Sequence, residues 1–245
     1  MREGRLPWVS WGTALVAAYG LKLHYSRAAA GDLAWILAPT ARAVGWLRGE
    51  TLTMVPGAGW VPPDHSYVIA PACAGVNFMI VALTVSVLGF AHRLRSPGRR
   101  LSWWLASLAG AWMLTLAVNT LRILAAVELY RRDPALGLTP EQAHRLLGTV
   151  LYLGALWGVF AVLDRLTRRG DGPYSMLTAA VLVPGAYLGM TVVVPLLNGT
   201  FRQPGGRYVE HAMMVSLVTT ILLALVFLAR RRRLDGKTVD PGGRG

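Results

Sequence analysis

The chain has 245 residues, of which 54% are hydrophobic and 15% charged, with a mean hydropathy of +0.44. A soluble globular domain carries about a quarter charged residues, so this composition excludes that class and indicates a polytopic membrane protein. The net charge of +13 sits in short clusters between apolar runs, the pattern of topology signals and not of a nucleic-acid footprint, and the single cysteine excludes an internal disulfide and a thiolate-rich metal cage.

Residues 8 to 23 form the first apolar run, preceded by Arg2 and Arg5 in the manner of a signal segment; Ala28, Ala29 and Ala30 resemble a cleavage site. Lys22, His24 and Arg27 interrupt the region before that site, so the segment reads as a retained first span. Residues 32 to 48 predict a shorter helix, with Asp32 as cap, apolar Leu33, Ile36, Leu37, Val44 and Leu47 at helical spacing, and Pro39 inside. About 16 residues is short for a hydrocarbon core that needs ~20, which implies an interfacial or partly embedded helix with Trp35 and Trp46 at headgroup level. The stretch 55 to 63 is rich in Gly and Pro and predicts an irregular connection.

Further apolar spans are predicted at about 73 to 91, 101 to 130, 141 to 164, 175 to 197 and 210 to 229, which with the first makes six. The expected fold is an all-α membrane helix bundle over residues 1 to 234, with about six transmembrane helices, one short interfacial helix, and a polar tail over 235 to 245 that predicts disorder. Arginines at 93, 95, 99 and 100, three more between 165 and 171, and a run at 230 to 233 predict three cytoplasmic loops or ends. Strict alternation then places both termini in the cytoplasm and the start of the 73-to-91 span outside.

Cys73 follows Pro71, a residue favoured at a helix start, and the positive end of a helix dipole favours a thiolate there. The plainer reading is a small buried hydrophobe. Arg122 is embedded in apolar sequence, a placement that costs at least ~2.5 kcal/mol at mid-bilayer and marks a functional interior, a snorkelling side chain or a pair with Glu128. At about 1.5 Å per residue, the helix beginning near Leu101 carries Arg122 about 31 Å, to the level of Cys73. His144 comes one turn after a helix start signalled by Thr139, Pro140 and Gln142, again at the outer face, where His65 and His211 compete for any catalytic role. A thiol, an imidazole and a cationic donor at one depth are the groups that acyl transfer requires. Asn77, one turn from Cys73, and Asn119, three residues before Arg122, are candidates for orienting them, or else polar contacts between helices.

Ala72-Cys73-Ala74-Gly75, Asn119-Thr120-Leu121-Arg122-Ile123 and His144 with Gly148, in this order on successive spans, resemble the exosortase/archaeosortase family of membrane transpeptidases. The run from Cys73 to Phe78 is most similar to the exosortase K subgroup, and the resemblance covers about residues 60 to 165. Ala74 stands where many members have Ser or Thr, and Asn77 where the larger ones often have a basic residue. The resemblance implies a cysteine peptidase or transpeptidase of the prokaryotic plasma membrane, acting on the extracytoplasmic side without a cofactor. Its substrates would be secreted proteins carrying a C-terminal motif, a transmembrane segment and a basic cluster. Cys73 would form the thioester, His144 would serve as acid and base, and Arg122 would hold the thiolate or oxyanion. The alternative function is a transporter or channel with Arg122 as its anion-binding residue.

Overall fold

The computed structural model describes residues 6–94, 96–131, 139–167, 174, 176–199 and 208–235. The chain is an all-α bundle: α1 (Leu6–Arg27), α2 (Ala34–Arg48), α3 (Val76–Phe90), α4 (Pro97–Arg131), α5 (Pro140–Thr167), α6 (Met176–Leu188), α7 (Val194–Leu197) and α8 (Tyr208–Asp235). A π-helical segment, Gly189–Val193, joins α6 to α7 and makes one continuous rod of them. Among the described residues, five helical stretches are long and apolar enough to cross a membrane: Pro71–Arg93, Pro97–Leu129, Gln142–Thr167, Thr178–Leu197 and Tyr208–Leu225.

The first predicted span forms a 22-residue helix, α1, but does not join those five by length and composition. Its Ala14 is buried against the bundle, while Val9, Leu15, Val16 and Tyr19 turn an apolar face outward. The tail over 236 to 245 and the arginines at 95, 168 and 169 lie outside the described residues.

α3 is the axis of the bundle. Of its apolar window 78% is buried, against 17% to 33% for the other spans, and α1, α4, α5 and α6 all pack on it. Its sequence explains this: apolar residues run all the way round, with no polar stripe to set toward water. Its polar residues are Asn77, Thr84 and Ser86; the hydroxyls of Thr84 and Ser86 donate to the Ile80 and Ala82 carbonyls, each at 2.7 Å, and the Trp103 indole of α4 donates to the Ser86 carbonyl at 3.0 Å.

α2 lies against α4 through Ile36, Leu37, Ala41 and Val44, and leaves Trp46 82% exposed on the opposite side. Asp32 does not cap it. The cap position is Leu33, and Asp32 instead accepts from the Ala29 amide at 2.9 Å in the preceding turn. The connection after α2 is more ordered than its composition predicts: β1 (Thr53–Val55) and β2 (Gly59–Val61) pair antiparallel. Pro56 and Gly57 (φ 80°) form the turn, closed by the Ala58 amide donating to the Val55 carbonyl at 3.1 Å, a proline-glycine pairing suited to a type II turn. This strap is tied to the end of α2 by Glu50, which accepts from Arg48 at 2.9 Å and from the Tyr67 hydroxyl at 2.9 Å. The bond from Arg48 holds the Glu50 carboxyl below its ordinary range, and burial together with the bond to Glu50 pushes the Tyr67 phenol up to about 12.

At the end of α3 remote from Cys73, Arg93 forms a buried ion pair with Asp164 of α5 at 2.9 Å. Arg93 also donates to Thr167 Oγ1 at 3.2 Å and lies 3.9 Å from the centroid of the Tyr174 ring. Asp164 accepts the Tyr174 amide at 3.2 Å, and the Tyr174 hydroxyl donates to the Gly89 carbonyl. An arginine that reads in sequence as a loop charge is thus part of the interior.

Replacing Asp164 by Ala should leave Arg93 buried without its counter-charge and lower stability by about 3–5 kcal/mol, as measured by denaturant unfolding in detergent. The Tyr67 phenol ionises near 10 when unfolded and near 12 when folded, so its contribution is complete below about pH 10 and is lost as pH rises toward 12. Tyrosinate absorbance followed against proteolysis of the strap should show it loosening in that window, and Tyr67→Phe should abolish the transition.

Candidate active site

Pro71–Cys73 is a 3-10 turn, closed by the Cys73 amide donating to the Ala70 carbonyl at 2.8 Å and the Ala74 amide to the Pro71 carbonyl at 3.0 Å. Gly75 then takes φ 70°, ψ 13° and becomes the amino cap of α3. That left-handed conformation costs an ordinary residue ~1–2 kcal/mol. A Cβ there would also stand 3.0 Å from Thr115 Cγ2 and 3.4 Å from Asn119. Cys73 therefore lies not in the first turn of the long helix, as the sequence predicts, but on a separate turn set off from it by glycine. It is half-buried, with a free thiol.

From that turn a chain of hydrogen bonds runs across α4 and α5. Asn119, fully buried, donates through Nδ2 to the Cys73 carbonyl. Its Oδ1 accepts from the Tyr152 hydroxyl at 3.0 Å, and the Tyr152 oxygen accepts from Arg122 Nη1 at 3.1 Å. Arg122 Nη2 lies 2.7 Å from His144 Nε2. A guanidinium can only donate, so Nε2 accepts and the ring proton of this tautomer sits on Nδ1. The sulfur of Cys73 makes no hydrogen bond among the described residues; the cysteine joins the network through its backbone.

Helical spacing accounts for the convergence. Thr115, Asn119 and Arg122 share one face of α4; His144, Gly148 and Tyr152 share one face of α5. Gly148 makes room for the arginine side chain, since a Cβ there would lie 2.8 Å from Arg122 Nε. Phe78 of α3 stacks on Tyr152, centroids 4.5 Å apart and planes 21° from parallel, which fixes the phenol between Arg122 and Asn119.

A cavity of about 220 Å³ opens beside this chain, with Ala72 and Gly75 flanking the cysteine turn and Tyr25, Arg122, Arg145 and His211 among its walls. Asn77 lines it too, but its Oδ1 is engaged by Lys22 Nζ of α1 at 3.0 Å. Of the two rival histidines, His211 faces the cavity, whereas His65 is exposed in a left-handed turn (φ 54°) beyond the strap. The Thr139 and Gln142 capping box forms, with reciprocal bonds of 3.2 and 3.0 Å, and orients the first turns of α5.

Tyr152, Tyr25, Lys22 and Arg145 are members of the site that the sequence reading missed. Tyr152 carried a signal, since it falls two turns from His144 on the same helical face. The other three reach the site by tertiary packing or by adjacency to His144. Chemically, the arrangement offers a thiol beside a cationic, hydrogen-bonding cavity, with an imidazole lone pair held by the arginine. No family model, curated protein or solved structure matches the chain.

Tyr152→Phe should leave both Asn119 Oδ1 and Arg122 Nη1 without their partner and cost ~1–3 kcal/mol in detergent unfolding. A stability equal to the parent protein would show that this link carries no weight.

Proposed function

We propose that the protein is a membrane-embedded cysteine protease or transpeptidase, cleaving a C-terminal sorting signal of secreted proteins through a thioester at Cys73. The observation that carries the reading is the continuous hydrogen-bonded chain from the Cys73 turn through Asn119 and Tyr152 to Arg122 and His144. The resemblance to the exosortase/archaeosortase family supports it, in the same residues. The basic clusters support an orientation with the arginine-rich ends in the cytoplasm of a prokaryotic cell and the cavity on the outer side of the plasma membrane.

The chemistry follows from what each group can give and take. Cys73 transfers its proton to His144, and the thiolate attacks the scissile carbonyl. Once Nε2 is protonated it no longer accepts from Arg122, so Nη2 is released to donate to the oxyanion as that charge develops. The imidazolium then protonates the departing amine, leaving the acyl group on sulfur. Water as the next nucleophile gives a protease; an amine gives a sorting enzyme. Tyr152 keeps the guanidinium in place while its other nitrogen changes partner.

A second reading, an anion transporter or channel centred on Arg122, draws on the second arginine, Arg145, in the cavity wall. Transport that needs Arg122 but not Cys73 would favour it.

Cys73→Ala should abolish processing of a co-expressed substrate with the protein still folded in the membrane, and His144→Ala should slow it about 10²–10⁴-fold. Immunoblotting of the substrate, with mass spectrometry of the trapped acyl-enzyme, reads both. Full processing in Cys73→Ala would end the proposal.

A further inference from the structure

At the end of the bundle away from Cys73, the first two turns of α1 and α4 flank a second, outward-opening cavity of about 350 Å³. Val9 and Ser10 line it from α1, and Pro97, Arg100, Leu101 and Trp104 from α4. Its walls are mostly carbon, yet two of the residues that form them each carry a buried donor that is unmet among the described residues. Arg100 is only 7% exposed; its Nε donates to the Leu94 carbonyl at 2.7 Å, but its Nη1 is buried with no hydrogen-bond partner among the described residues. The indole Nε1 of Trp104 is buried and unpartnered in the same way. The two residues are four apart on one helix, so both face one spot. The amino end of the 35-residue α4 adds positive potential beside them.

These features define an occupant. It must accept hydrogen bonds at two points, carry negative charge and bring an apolar body for the remaining walls. α4 is ~52 Å long against a hydrocarbon core of ~30 Å, which sets its first turns at headgroup level, where an indole and a guanidinium commonly meet lipid phosphate. Val9 and Leu101, 64% and 63% exposed, continue the apolar wall toward the outside of the bundle. We propose that this cavity binds an anionic phospholipid, its phosphate oxygens accepting from Arg100 Nη1 and Trp104 Nε1 and its acyl chain lying along Val9 and Leu101. A free phosphate would meet the two donors and leave the carbon walls uncovered. The site is separate from the Cys73 cavity and stands whether or not the protein is a peptidase.

The test is native mass spectrometry of the full chain released from phosphatidylcholine nanodiscs containing phosphatidylglycerol. The parent protein should retain phosphatidylglycerol in preference to phosphatidylcholine. Trp104→Phe, which removes the indole N–H together with one ring of the side chain, and Ser10→Leu, which fills the cavity from α1 and leaves both donors, should each weaken that retention about tenfold, with helix content and unfolding temperature unchanged. Excess inorganic phosphate should not displace the lipid. Equal retention of the two lipids, no effect of either substitution, or displacement by inorganic phosphate, the mark of a free-anion site, would each overturn the proposal.

Discussion

A guanidinium held inside an apolar bundle is costly unless protein groups meet its donors, and the two terminal nitrogens of Arg122 are met in a way that orders the site around it. Two of its nitrogens reach His144 and Tyr152 on α5, and Gly148 between those two residues leaves the space that the Arg122 side chain occupies. Tyr152 then needs an acceptor for its own proton and finds Asn119, whose amide group turns to the carbonyl of Cys73. The position of the cysteine turn is thereby set from the arginine outward, with the left-handed Gly75 supplying the corner that such a position needs.

The two ends of the bundle treat a buried arginine differently. Arg93 meets a carboxylate at 2.9 Å, and aromatic and hydroxyl groups close around the pair. Its charge is cancelled, and the result is a lock between α3 and α5. Arg122 bonds to an imidazole and a phenol, neither of which neutralises it, and Arg145 stands on the same cavity wall. Positive potential is thus available in that cavity for an anionic ligand or a developing negative charge.

The helical class and the approximate spans were legible in the chain because continuous apolar runs of membrane length have few other folds open to them. Asn119, Arg122, His144 and Gly148 could be assigned to shared helical faces by counting. The turn at Cys73 could not, since proline and cysteine before an apolar run look the same whether the helix starts at Pro71 or after Gly75. The hairpin was hidden for the opposite reason. Gly and Pro were read as an irregular connection, when Pro56-Gly57 encodes one tight turn and Gly59, φ 132°, lets the backbone pass against the Ile69 carbonyl. Lys22 was read as a charge spoiling a cleavage site; only packing of α1 on α3 brings it to Asn77.

α3 is wrapped by four other helices, so in the assembled protein its sides meet side chains and almost no lipid. A helix in that position has no need of a surface matched to hydrocarbon, yet it is among the most apolar of the spans, at a hydropathy of 2.0. The requirement belongs to biogenesis. Synthesis runs from the amino terminus, so α3 leaves the translocation machinery before α4, α5 and α6 exist to cover it, and it must partition into the bilayer on its own merits. Its hydrophobicity serves a transient stage of assembly, and the helices made later convert a lipid-facing segment into the interior against which the cysteine turn is braced.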